Sequence, residues 1–181
     1  MPVSVRAAED QDLPAIHAIY AHHVLHGLAS FEETPPDAAE LRKRWEAIAG
    51  EGLPYLTARI DGVVRGYAYA SRYRPRSAYR FSVEDSVYVA PGAAGQGIGR
   101  ALLNGLIQRC TDLGRRQMIA IIGDSGNTAS IALHRACGFS HVGTFAAIGF
   151  KHGRWVDSVL MQRALGVGDA TLPGLTGANG G

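Results

Sequence analysis

Cysteine is scarce: the 181-residue chain carries only Cys110 and Cys137. Two are too few for a disulfide framework, and their spacing fits no metal motif. Long apolar runs are missing too, none approaching the roughly 18 residues of a membrane-crossing helix. The N-terminal stretch does not read as a signal peptide, because Glu9, Asp10 and Asp12 follow Arg6 almost at once. Nor is one sign of charge in excess: 18 Lys and Arg stand against 16 Asp and Glu, a formal net charge of +2. That balance excludes a strongly cationic nucleic-acid coat and leaves room only for local basic patches. The expectation is a soluble, cytoplasmic domain with no membrane or nucleic-acid partner. Hydrophobic residues make up 46% of the chain, enough to bury a core, and the length is that of one domain.

The surplus is in glycine, 23 residues against a usual share of roughly 7%. Their placement follows the elements. Val3–Arg6 alternates like a short strand. Leu13, Ile16, Ile19, Tyr20 and Val24 then share a helix face, with Asp10 or Asp12 as its cap and Pro14 in its first turn. Asp37 to Glu40 reads as a capping box opening a second helix with a buried stripe of Leu41, Trp45 and Ile48. Tyr55–Ile60, Val64–Ser71 and Phe81–Val89 read as strands, the first two joined by the turn signal Asp61-Gly62. A helix with Ile98, Leu102, Leu106, Cys110 and Leu113 on one face follows, then a buried strand at Met118–Ile122. A helix over Asn127–Cys137 and strands over Phe139–Phe150 and Trp155–Gln162 complete the order β-α-α-β-β-β-α-β-α-β-β. This is a mixed α/β sheet rather than a regular doubly wound one. Residues 1–164 read as the domain, and the glycine-rich stretch from 165 to 181 as a disordered tail.

Gly92, Gly95, Gly97 and Gly99 lie between a strand and a helix, with Arg100 in that helix's first turn. Glycine lets backbone bend sharply or approach a ligand, and a helix N-terminus favours an anion, so the segment suits a diphosphate. A tight turn with good helix packing explains it equally. It is not a P-loop, which ends Gly-Lys-Ser/Thr, and its place after three strands argues against a dinucleotide fingerprint. His22, His23 and His26 have no carboxylate or cysteine beside them, so no metal is expected. Cys110 and Cys137 read as small core residues rather than nucleophiles.

Asn127-Thr-Ala-Ser130-Ile-Ala-Leu-His134-Arg-Ala-Cys-Gly138-Phe139 follows about 30 residues later. With Ala94-Gly95-Gln96-Gly97-Ile98-Gly99, this segment resembles the GNAT acetyltransferases, which bind acetyl-CoA. Ala94 departs from the Gln or Arg usual there. Ser77-Ala78-Tyr79, Val83-Glu84-Asp85-Ser86-Val87-Tyr88-Val89 and Gly149-Phe150-Lys151-His152-Gly153-Arg154-Trp155-Val156-Asp157 are similar to the phosphinothricin and methionine sulfoximine or sulfone N-acetyltransferases. The likeness runs from about Val3 to Gln162. It implies a GNAT-like, mostly antiparallel sheet flanked by helices, acetyl-CoA as co-substrate without a metal, and a homodimer.

The resemblance also implies roles. Glu84 matches a proposed general base, useful because an amine attacks only when neutral; pairing with an arginine is the plainer reading, and Asp85 the rival base. Val87, Tyr88 and Val89 would pair by backbone with the pantetheine arm. Gly95, Gln96, Gly97, Ile98, Gly99 and Arg100 would hold the diphosphate. Asn127, Ser130 and His134 would also touch CoA, His134 either as acid to the departing thiolate or simply as a ligand, and Asn127 equally well as a helix cap. Phe31, Arg74, Arg76 and Tyr79 match substrate-binding positions, arginines being suited to grip a carboxylate or phosphinate. A solvated basic loop is the alternative. The implied activity is direct acetyl transfer, in a ternary complex, to a small amino acid or analogue. Another small amine, a protein N-terminus, or a non-catalytic CoA sensor are the competing readings.

Overall fold

The computed structural model describes residues 2–174. Seven strands form one sheet in the order β1-β2-β3-β4-β5-β7-β6. They are β1 (Ser4–Ala7), β2 (Tyr55–Ile60), β3 (Val63–Arg72), β4 (Ser82–Val89), β5 (Gln117–Gly123), β6 (Ser140–Lys151) and β7 (Arg154–Ala164). Only β4 and β5 run parallel; every other pairing is antiparallel. The mostly antiparallel mixed sheet and the element order are those expected from the sequence. The two dipeptide turns form as their chemistry requires: Asp61-Gly62 joins β2 to β3 and His152-Gly153 joins β6 to β7, all four residues at positive φ.

Four helices cover the sheet: α1 (Leu13–His26), α2 (Ala38–Gly50), α3 (Ile98–Asp112) and α4 (Thr128–Ala136). Strand alternation divides the core between two faces. Ala58, Ala68, Ala70, Val83, Met118 and Ala120 pack beneath the apolar stripe of α3. Tyr55, Tyr67 and Tyr88 project to the other face and pack against α1. Gly66 allows the α3 approach, because a Cβ there would meet Ile98 and the Tyr88 carbonyl. Among the described residues, no helix is long and apolar enough to cross a membrane.

Four expectations change. Leu113, expected on the apolar face of α3, lies just past its end and is exposed. Asp12 does not cap α1 with its side chain. Its carboxylate, fully buried, accepts from the Glu9 amide at 2.9 Å and pairs with Arg6 at 2.9 Å and with Arg59, tying β1 and β2 to the start of α1. The expected α2 stripe is only partly seated: Leu41 is buried, whereas Trp45 and Ile48 are half-buried. Finally, Leu165 is fully buried, and its amide donates to the Arg116 carbonyl at 2.9 Å. The last part of the expected tail, 175–181, lies outside the described residues.

Burial pushes the Asp12 carboxyl up, but the Glu9 amide and the two guanidiniums outweigh it and hold the pKa below the ordinary value. A depressed carboxylate contributes stability that is present above its unfolded pKa, about 3.9, and is lost as pH falls through the folded value. Asp12→Asn is therefore expected to cost about 2–3 kcal/mol at neutral pH, the lower edge for breaking a buried pair because both guanidiniums keep some water. Its unfolding free energy should converge on wild type in acid. Urea titrations at pH 7 and at stepwise lower pH, continued below the ordinary carboxylate range, check both.

Candidate active site

The parallel register of β4 and β5 lasts only from Ser82 opposite Gln117 to Asp85 opposite Ala120. Beyond it β4 stays bonded to β3 as far as Val89, and β5 to β7 as far as Gly123. The strands therefore part, and a narrow groove opens between Ser86–Tyr88 and Ile121–Gly123, closed at its end by Asn127, Ser130 and His134. Backbone groups on the facing edges are free to pair with an extended ligand. The Val89 carbonyl is an exception, since His23 Nε2 contacts it at 2.8 Å.

Next along the chain, Gly92, Gly95 and Gly97 all take positive φ, and a Cβ on any of them would meet only open space. The positions are thus glycine for backbone shape, not for packing. Gly99 differs: a Cβ there would press on Leu133 of α4. Ile98 is buried, so only its backbone can face a ligand, while Gln96 and Arg100 are exposed. The loop presents the unpaired amides at the start of the 15-residue α3 toward solvent. The donor set fits a diphosphate, and the parted strands fit an extended arm.

Alternation sends Asp85 and Glu84 to opposite faces of the sheet. Asp85 meets α4, where His134 Nε2 lies 3.1 Å from Asp85 Oδ2 and His134 Nδ1 lies 2.8 Å from the Ser130 carbonyl. A carbonyl only accepts, so Nδ1 carries a proton, and the carboxylate draws a second onto Nε2. Burial opposes the charged ring, but the Asp85 carboxylate and Ser130 raise the His134 pKa above its ordinary value. Both ring nitrogens are thus engaged inside the protein, and His134 is 4% exposed. Asn127 does cap α4, accepting from the Ser130 amide at 3.2 Å, while its side chain also lines the groove.

Glu84 faces a second, wider cavity of about 420 Å³ on the α1/α2 side, together with Phe31, Glu32, Tyr69 and Tyr88. Burial raises the Glu84 pKa; Arg74 opposes and Asp85 adds to the rise. Phe31 lines this cavity. Arg76 and Tyr79 do not; both are exposed on the β3–β4 connection, and Arg74 reaches Glu84 only through its field.

Sequence reasoning missed Tyr20, Ser30, Glu32, Tyr69 and Ser158 in the cavity walls. It also left Lys151 without a role. Lys151 is 2% exposed, and its Nζ donates to the Ser30 carbonyl at 2.7 Å. Gly123 and Gly149 let the same loop lie flat on the sheet: a Cβ on Gly123 would strike the Leu28 carbonyl, and one on Gly149 the Phe31 ring. The alternation of Tyr67 and Tyr69 was the available signal for the tyrosine wall; the Lys151–Ser30 contact had none.

A profile described as the Acetyltransferase (GNAT) family matches residues 16–139. The chain belongs to the GNAT acetyltransferase family. It is 62% identical over 170 residues to a phosphinothricin N-acetyltransferase of Alcaligenes faecalis, covering 94% of this chain and 86% of that protein. It is 42% identical over 163 residues to an L-methionine sulfoximine/L-methionine sulfone acetyltransferase of Pseudomonas aeruginosa, covering 90% and 94%. A crystal structure of a GNAT superfamily phosphinothricin acetyltransferase from Sinorhizobium meliloti in complex with AcCoA superposes with a TM-score of 0.94 at 53% identity, covering 97% of this chain and 95% of that one.

For this GNAT enzyme, the His134–Asp85 pair carries a measurable consequence. A raised imidazole contributes stability that is present below its unfolded pKa, about 6.5, and is lost as pH rises through the folded value. Asp85→Asn is expected to lower the His134 midpoint, followed by the ring signals in an NMR titration. An unchanged midpoint would contradict the charged pair.

Proposed function

We propose that this protein is an acetyl-CoA-dependent N-acetyltransferase for the amino group of a small amino acid or analogue, of the phosphinothricin and methionine sulfoximine or sulfone type. The observation that carries the reading is the position of Glu84, a half-buried carboxylate in the wall of the wider cavity, one residue before the strands part. Acetyl-CoA supplies an activated acetyl group as its thioester. The loop from Gly95 to Arg100 holds the diphosphate, and the backbone of Val87 and Tyr88, with Asn127 and Ser130, holds the arm.

The acceptor enters from the α1/α2 face. Glu84 takes a proton from its amine, directly or through one water, and frees the nitrogen lone pair. The C–N bond forms as the C–S bond breaks, and a backbone amide of the parted β4 edge stabilises the carbonyl oxygen. The acceptor's ammonium loses two protons: one goes to Glu84 as the lone pair is freed, and the second, lost from nitrogen as the amide forms, is taken up at the departing sulfur. His134, paired with Asp85, puts positive charge beside the leaving sulfur; it acts as a charge more than as a free ligand. Phe31 lies against the acceptor's apolar part, and Arg74 acts on Glu84 through its field.

The protein works as a homodimer in the cytoplasm. Supporting a second copy, Val142, Phe145, Ile148, Phe150 and Trp155 expose apolar surface on the edge strand β6 and its neighbour, an arrangement that monomers avoid. Both cysteines are free and buried, in keeping with a reducing compartment. Phe150→Glu combined with Trp155→Glu should give a monomer in sedimentation equilibrium; a monomeric wild type would overturn the dimer.

Thiol release from acetyl-CoA, measured across amino acids and their sulfoximine, sulfone and phosphinate analogues, tests the activity. Turnover of none would sink it. Glu84→Gln should lower kcat by about 10²- to 10⁴-fold while acetyl-CoA binding persists. The acid limb of kcat/KM should lie above the ordinary carboxylate range, and Arg74→Ala should move it to still higher pH, because Arg74 favours the ionised form.

A further inference from the structure

Tyr67, Tyr69 and Ser71 of β3 stand opposite Tyr88, Ser86 and Glu84 of β4. All six side chains therefore share the face that α1 and α2 cover. Tyr55 of β2 stands opposite Tyr69 and extends the row. The partial seating of α2 leaves a second cavity of about 320 Å³ over this row. Leu41, Ala47 and Ile48 of α2 form its roof, and Tyr55, Tyr67 and Ser71 its floor.

This back chamber adjoins the cavity that holds Glu84. Tyr20 and Tyr69 stand in the walls of both. Glu32 lines the front cavity and Arg44 the back one, and the two are paired at 2.7 Å across the boundary. Ser71, on the chamber floor, is the register partner of Glu84 itself.

The chamber's chemistry selects its occupant. The rings of Tyr55 and Tyr69 are nearly parallel at 5.0 Å and those of Tyr55 and Tyr67 at 5.9 Å, giving flat aromatic surface. Burial raises all three phenols above their ordinary pKa, so they stay neutral. The Arg44 charge is already met by Glu32 and Glu40, so no anion is called for. A volume of this size takes a benzyl or isobutyl group.

We infer that the back chamber is the side-chain subsite of the acceptor: an amino acid with its amine at Glu84 extends an apolar or aromatic side chain past Tyr69 to lie under α2. The acceptors then include large apolar L-amino acids such as phenylalanine and leucine, beside the compact sulfur and phosphorus analogues. The bonds made and broken are those of the acetyl transfer above, and the inference rests on that reading.

The test compares kcat/KM for L-phenylalanine and methionine sulfone, by thiol release, in wild type, Ala47→Trp and Ile48→Phe. Two fillings of the roof guard against one misfolding, and circular dichroism reports the fold. Wild type should turn over both acceptors, and each variant should cut the phenylalanine-to-sulfone ratio about tenfold or more. p-Cresol, which fits the chamber without an amine, should compete with phenylalanine. Turnover of the sulfone without phenylalanine overturns the subsite and leaves the enzyme assignment standing. An unchanged ratio in both folded variants overturns it too, and p-cresol binding without competition assigns the chamber to an independent ligand. Turnover of neither acceptor, nor of any other analogue, counts against the acetyltransferase reading itself.

Discussion

Everything at this site depends on β4 and β5 ceasing to pair after Asp85 and Ala120. Unpaired backbone groups within a sheet are costly unless something satisfies them, so a fork of this kind closes unless each strand is held elsewhere. Here each is. β3 holds β4 out to Val89, and β7 holds β5 out to Gly123. The sheet thus keeps two free edges facing each other, a binding capacity built from backbone alone. The glycine loop leaves one edge directly, and α4 begins just beyond the other, so ligand-holding elements converge on the fork without long connections.

The fork also separates two chemistries that would interfere. Glu84 and Asp85 are adjacent in sequence, yet the pleat sends them to opposite faces. Glu84 faces the wider cavity, where burial raises its pKa, as a proton acceptor working near neutrality requires. Asp85 is spent on His134. Removing two charges from water costs about as much as their attraction returns, so this pair is a poor stabiliser. What it provides is a fixed ring orientation at the inner end of the groove.

The sequence made the element order readable because periodicity and turn chemistry are local. Asp61-Gly62 and His152-Gly153 mark hairpins by themselves, and Gly92, Gly95 and Gly97 mark left-handed backbone. What stayed hidden is pairing at a distance. His134 meets Asp85 across 49 residues, and Lys151 meets Ser30 across 121; no local pattern encodes either. Asp12 misled for the same reason. Before a helix an aspartate reads as a cap, and only the arrival of Arg59 from β2 turns it into a buried ion. The family motifs grouped Phe31 with Arg76 and Tyr79, but in the single chain only Phe31 lines the Glu84 cavity.

Rigidity around the Glu84 cavity is unevenly distributed. The loop carrying Ser30, Phe31 and Glu32 is clamped to β5 and β6 by close approach at Gly123 and Gly149 and by the buried Lys151 ammonium. Desolvation lowers the Lys151 pKa while Glu33 and Glu32 oppose the fall, so the clamp is electrostatic as well as steric. On the α2 side the wall is held by one buried leucine and by ion pairs of Arg44 that keep contact with water. Exposed ion pairs contribute little, and half-buried residues repack at small cost. A change of cavity shape is therefore easier to accommodate under α2 than against β5 and β6: on the proposed reading, the fixed wall keeps the amine at Glu84 and the soft wall decides what side chain can accompany it.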